Sequence, residues 1–369
     1  MVQGGAMTRR RAWVWLLLIS VVPILMVLAR PVVYAAPRAE ATPRATGTPE
    51  PPGGKVQARP RPLQSRFAVE VETPPQVRGT PLPVWLPPAY PQPWAPTPHD
   101  HFLFGRVFPP PYEDIPIPEY RFAARASTPG RVHGGIDIPA PAGVPILAIG
   151  SGRVIWAGEG FMFGREHSGD PYGLAVVIRH DLGWDGHVLF SLYAHMRAIW
   201  VQPGQWVAQG TPLGQVGSTG MSDGPHVHLE IRVQMADEPA QQASLSNPEL
   251  WIAPPVGWGV LVGRVYNAQQ NPWDNATITI QPLDWTPEVR TLWQGHHHII
   301  THTYTRRGGI LSDPYYRENF ALNNLPAGRY RLIIGTAESE YRQTIMIYPG
   351  RVTFFIFTPT KGIRVVKLK

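Results

Sequence analysis

Three short stretches of this 369-residue chain carry residues that can do chemistry together. "HGGID" sets His133 and Asp137 four residues apart across two glycines, and "HVHLEI" alternates His226, His228 and Glu230 with Val227, Leu229 and Ile231. In extended chain, side chains alternate between faces, so the polar members of each stretch share one side of a sheet. Three imidazole or carboxylate ligands plus an open position make a catalytic zinc site, in which the ion polarises a carbonyl and lowers the pKa of water towards about 7. Between the two lies "SLYAHM" with His195, a further imidazole on a β-like segment. Once three ligands are chosen, the two histidines left over would serve as proton acceptor and oxyanion donor. Each stretch alone has a plainer reading, because buried polar pairs are ordinarily just hydrogen-bonded. Their co-occurrence in one β region points to a site.

The elements that must position these residues read as short strands. From Val144 on, "VPILAIG", "GRVIWAG", "GLAVVIRH", "HVLFSLYAHM", "TPLGQVG" and "HVHLEIRV" are bounded by glycine and proline, and no stretch shows helical periodicity. "AGVPILAIGSGRVIWAG" and "PGQWVAQGTPLGQVG" resemble one another as Gly-punctuated hairpin pairs. The pattern breaks at "APPVGWG" near Pro254, and a second β unit follows, suited to a small antiparallel sandwich. The fold class expected is all-β.

Upstream, Arg9 to Arg11 precede an apolar run from Ala12 to Ala29, a signal peptide or retained membrane anchor over residues 1–36. Residues 37–98 are proline-rich and read as a semi-rigid spacer. This leaves 99–255 as the domain bearing the site, 256–358 as an accessory sandwich and 359–369 as a basic tail. The chain has no cysteine, so any metal site is built from His, Asp or Glu. A net charge of +7 suits an anionic wall or membrane surface. No nucleic-acid partner is expected, and membrane contact is expected only through the N-terminal segment.

The stretch from about Arg131 to Val233 closely resembles the M23 family of zinc metallopeptidases, the lysostaphin and LytM-like peptidoglycan endopeptidases. The matching text is "HGGIDIPAPAGVPILAIGSGRVIWAG", "YGLAVVIRH", "LYAHM" and "VQPGQWVAQGTPLGQVGSTGMSDGPHVHLEI". The resemblance implies a curled antiparallel sheet or barrel-sandwich, Zn2+ on His133, Asp137 and His228, and catalytic roles for His195 and His226. It also implies peptidoglycan peptides as substrate and an extracytoplasmic location. Asp223, Leu174 and the long loop Glu159–Pro171 depart from the family pattern on expected cleft walls. "LNNLPAGRYRLII" resembles transthyretin-like or carboxypeptidase-regulatory modules, and residues 256–369, with Tyr315 and Tyr316 read as exposed aromatics and with "KGIRVVKLK", are expected to dock on an anionic wall polymer or glycan.

Other histidine groups compete. "HDH" (His99 to His101) repeats the HxH pattern beside the spacer, and "HHHIITH" (His296 to His302) offers an adventitious metal site. Glu230 shares the histidine face and is a rival ligand; His180 and His187 read as structural or exposed. A catalytically silent LytM-type binding or regulatory protein is the alternative function, against which the intact His195 and His226 count. A lipoyl- or biotinyl-type carrier is excluded, because no lysine lies between Lys55 and Lys361.

Overall fold

The computed structural model describes residues 87–368 except 113, 125–131, 235–240, 242, 288, 291–297, 306–308 and 336–338. The expected export segment and most of the spacer lie outside the described residues. Everything described belongs to one compact unit. Among the described residues, no helix is long and apolar enough to cross a membrane.

The N-terminal half supplies β1 (Ile136–Pro139), β2 (Pro145–Leu147), β3 (Gly152–Gly158), β4 (Leu174–Trp184), β5 (His187–Ile199), β6 (Trp206–Val207), β7 (Pro212–Val216), β8 (His226–Gln234) and β9 (Ser244–Ser246). The C-terminal half supplies β10 (Trp258–Val265), β11 (Thr277–Pro282), β12 (Ile299–His302), β13 (Ile310–Leu311), β14 (Phe320–Pro326), β15 (Gly328–Gly335), β16 (Glu340–Ile347), β17 (Val352–Thr358) and β18 (Gly362–Val366). The larger sheet has ten strands and runs β13-β9-β8-β5-β4-β3-β6, with β1 on β8 and β7 joining β2 to β5. Its path ends on β13 and β6, so it does not close into a barrel.

Both faces of this sheet are covered, and the strand period sorts residues between them. Val176, Ile178, Tyr193, Val227, Leu229 and Ile231 enter the main core. Their neighbours Ala175, Val177, Phe190, Leu192 and Ala194 enter a smaller core with Phe161 on the other side. Every residue of β8 is buried, including its polar face.

The C-terminal half forms two four-stranded sheets, β14-β10-β17-β18 and β12-β11-β15-β16, around Leu261, Ile278, Leu322, Leu332, Ile345 and Phe355. The sandwich is not wholly antiparallel: β10 and β17 pair in parallel, because β17 is delivered from the opposite sheet rather than through a hairpin. Residues 362–366, expected in a basic tail, are strand β18 on β17.

The two halves are joined by hydrogen bonds as well as by β13, which pairs with β9. Buried Glu249 forms an ion pair with Arg121 and accepts the Asn323 N–H at 2.6 Å. Residues 87–98, placed in the spacer by their prolines, also pack: Tyr90 stacks on Trp94, and Trp94 donates to the Gly350 carbonyl. His101 is buried against Asp313 at 2.9 Å and His99 stacks on Tyr315, so "HDH" ties this segment to the C-terminal half. Tyr316 is 1% exposed and donates to Asp100, which corrects its reading as an exposed docking aromatic.

Ending the chain at residue 255 would strip β13 from β9 and leave Glu249 without the Asn323 donor. Loss of a buried polar network is strongly destabilising. We expect this truncation to show no cooperative thermal transition by circular dichroism, whereas the full chain shows one. The same seam predicts a pH dependence. Burial, with Asp313 nearby, pushes the Glu318 carboxyl from near 4.5 up to about 8. The folded state therefore binds the extra proton between these values, and stability falls as pH rises through that window. Glu318→Gln should flatten the fall in Tm measured between about pH 5 and about pH 8.

Candidate metal centre and its histidines

β1 lies antiparallel on β8 with Asp137 opposite His228 and Pro139 opposite His226. His133 precedes β1, and its own backbone is tied to Ala123 and Ala124. The glycines of "HGGID" are required by the approach to β8. A Cβ on Gly135 would lie 2.2 Å from the Leu229 carbonyl oxygen, and one on Gly134 would lie 2.6 Å from Glu230 Oε1. Their smallness lets His133 and Asp137 reach the same point as His228.

Three donor atoms meet there. His133 Nε2 is 3.0 Å from Asp137 Oδ1 and 2.9 Å from His228 Nδ1, and His228 Nδ1 is 2.8 Å from the same Asp137 oxygen. Outer partners decide which nitrogens carry lone pairs. His133 Nδ1 faces the Arg121 carbonyl at 3.1 Å, and His228 Nε2 faces Glu230 Oε1 at 3.1 Å. A carbonyl or carboxylate oxygen only accepts, so both outer nitrogens donate and both inner ones are left to bind. Two imidazole lone pairs and a carboxylate oxygen thus converge in a buried spot, an arrangement that fits a divalent cation.

The electrostatics ask for the same charge. Burial opposes ionisation of Asp137, yet the adjoining His133 and His228 imidazoles outweigh it and hold its carboxyl well below the usual range. Burial would lower His228, but its bonds to Asp137 and Glu230 outweigh this and push it up to about 9. A proton on His228 answers that field in part; a metal ion answers all three donors.

His195 and His226 stand beside this cluster. Their rings are 4.7 Å apart, and that of His195 is 5.8 Å from that of His228. His195 reaches the site through a bulge. Between the pairs Val176↔Tyr193 and Leu174↔Met196, β5 carries one residue more than β4, and His195 adopts φ +61°. Regular alternation would have turned His195 into the main core; instead Met196 takes that place. At the same point β5 leaves β8, whose His228 lies opposite Ala194, and joins β7 at Met196. His195 Nδ1 donates to the Thr219 carbonyl at 2.8 Å, and His226 Nδ1 to the Gly224 carbonyl at 2.8 Å. Both Nε2 atoms are therefore free to take a proton, and His226 Nε2 lies 3.5 Å from Asp137 Oδ2. Burial, then the neighbouring His228, push the His195 imidazole down to about 3, which keeps it neutral at neutral pH.

All five residues singled out in the sequence are brought together. Glu230 stands behind His228 as its hydrogen-bond partner rather than among the three inner donors. His180 is buried on Ser191, and His187 bonds the Asp185 carbonyl. His298 and His302 are exposed on or beside β12, while His296 and His297 lie outside the described residues. Sequence reasoning missed Tyr172 and Arg232, both bonded to Glu230. Arg232 was findable, since it continues the alternation of His226, His228 and Glu230 by two residues.

Residues 131–241 match Peptidase family M23. This chain carries an M23 peptidase domain. The DD-carboxypeptidase/endopeptidase Mpg of Neisseria meningitidis is 38% identical over 120 residues, 32% of this chain and 24% of that protein. The peptidoglycan DD-endopeptidase ShyB of Vibrio cholerae is 35% identical over 119 residues, 31% of this chain and 24% of that protein. The chain thus spans about a quarter of the length of these relatives. The catalytic domain of the antimicrobial peptidase lysostaphin from Staphylococcus simulans is 25% identical, covering 35% of this chain and 86% of that one, at a TM-score of 0.29.

Within the M23 domain the donor set predicts one metal ion per chain. His133→Ala and Asp137→Ala should each abolish its retention through desalting, measured by elemental analysis of the purified protein.

Proposed function

We propose that this chain is an exported, zinc-dependent endopeptidase that hydrolyses peptide bonds in peptidoglycan stem peptides or cross-bridges. The observation that carries the reading is the convergence of two imidazole lone pairs and a carboxylate beside two further histidines. The names of the M23 relatives support the substrate class, and Arg9 to Arg11 with the apolar run that follows support export.

His133, Asp137 and His228 would hold the zinc ion, which supplies Lewis acidity for activating water and polarising the scissile carbonyl. His195 and His226 handle the proton. Each is fixed by a backbone carbonyl in the tautomer whose Nε2 accepts, so neither can donate to an oxyanion while neutral. Each becomes a donor on taking a proton, first from water and then towards the oxyanion or leaving amine. Their outer bonds to Thr219 and Gly224 hold the rings through this exchange. The C-terminal half buttresses the site through β13 and Glu249. Its docking on an anionic polymer or glycan rests on exposed Lys361, Arg364 and Lys367.

The test is digestion of purified muropeptides followed by mass spectrometry. The full chain with zinc should release cleaved stem or cross-bridge peptides. His195→Ala and His226→Ala should keep the metal and lose about 10²–10⁴-fold in turnover. Intact muropeptides after incubation with the zinc-loaded wild type would contradict the proposal.

A further inference from the structure

Behind the metal donors lies a buried charged group that the reaction does not use directly. Glu230 is 1% exposed, and its two oxygens are divided between partners. Oε2 receives the Arg232 Nε–H at 2.7 Å, while Oε1 receives His228 Nε2–H at 3.1 Å and the Tyr172 phenol at 2.8 Å. Arg232 Nη2 also donates to the Tyr172 oxygen at 2.9 Å. A guanidinium cannot accept, so the phenolic proton must point at Glu230. The three side chains close a ring that leaves Oε1 facing His228.

Tyr172 does more than complete that ring. Its carbonyl accepts the His195 N–H at 2.9 Å, at the residue whose left-handed φ turns that imidazole into the site. Its own N–H is held at 2.8 Å by Asp170 Oδ1, and Asp170 Oδ2 accepts the Met162 N–H at 2.7 Å. Asp170 is itself 1% exposed. The three polar groups of Tyr172 are thus taken by three different parts: the loop 159–171, the His195 bulge and the support of a metal donor. An apolar side chain of the same shape would fill the space equally well but would leave Glu230 Oε1 without its second donor.

We propose that Tyr172 is a positioning residue that sets His228 as a metal donor through Glu230 and holds His195 in register with it. The proposal rests on the reading of His133, Asp137 and His228 as metal ligands. Outer-shell partners of ligating histidines commonly change metal affinity by about 10–100-fold when removed. Tyr172→Phe deletes the phenolic donor and keeps the ring and all backbone bonds.

The experiment measures zinc affinity of the full-length chain by competition with a chromogenic chelator, with the thermal midpoint of the metal-free protein recorded in parallel. Wild type should bind one zinc. Tyr172→Phe should weaken binding by roughly 10-fold, and Glu230→Gln by up to about 100-fold, with the cobalt-substituted protein showing an altered visible spectrum in both. The lost buried hydrogen bonds should also lower the metal-free midpoint of Tyr172→Phe, so zinc affinity and the cobalt spectrum are the readouts that decide. Unchanged zinc affinity in either variant overturns the proposal, and so does a lowered metal-free midpoint with unchanged affinity, which marks a structural role alone. Should Tyr172→Phe fail to fold, Glu230→Gln decides by the same criterion. Failure of wild type itself to bind zinc would instead refute the metal centre on which the proposal is built.

Discussion

Everything around the site answers one constraint: two imidazole nitrogens and a carboxylate oxygen must be held within hydrogen-bond distance of each other in a buried place, with their lone pairs inward. Unaided, such groups repel or take up a proton. They stay together because each histidine donates its outer N–H to a fixed oxygen: the Arg121 carbonyl for His133 and the Glu230 carboxylate for His228. The same device holds His195 on Thr219 and His226 on Gly224. A candidate metal centre of this kind depends as much on the acceptors behind its donor atoms as on the donors.

The sheet brings two of the three inner donors and one of those acceptors, Glu230, into line. β8 brings His226, His228, Glu230 and Arg232 along one buried edge of alternation, and β1 crosses it closely because Gly134 and Gly135 have no side chains. The polar face of β8 is charged yet fully covered, which is tolerable only because its groups satisfy one another. Outside this face, the C-terminal half completes the sheet with β13 and secures Glu249. The two halves pack as one compact unit.

Much of this was legible beforehand, for a simple reason. HxxxD and HxH lie in or beside regular strand, where a period of two assigns faces without knowledge of the fold. His195 could be singled out as a further imidazole on a β-like segment, but its face could not be assigned, because a bulge and a left-handed residue invert the alternation that a strand reading relies on. The need for Gly134 and Gly135 was not legible, since it comes from the Leu229 carbonyl and Glu230 of a strand nearly a hundred residues on. Tyr172 carried no local signal, since its importance comes from Glu230, 58 residues away. Tyr316 was misread as exposed because its partner Asp100 lies 216 residues upstream, and no local pattern announces such a contact. The parallel β10–β17 pair was hidden likewise, since hydrophobic alternation does not record strand direction.

As metal ligands, His228 would bind through Nδ1 with its Nε2 proton committed to Glu230, and His133 through Nε2 with its Nδ1 proton committed to the Arg121 carbonyl. Long-range 15N–1H correlation spectra of the imidazoles report each nitrogen's protonation directly. In the zinc-loaded chain the expected spectra show an Nε2–H tautomer for His228 and an Nδ1–H tautomer for His133, with both inner nitrogens unprotonated. Spectra in which added zinc leaves the His228 Nδ1 protonated, or leaves both rings unchanged, would contradict it.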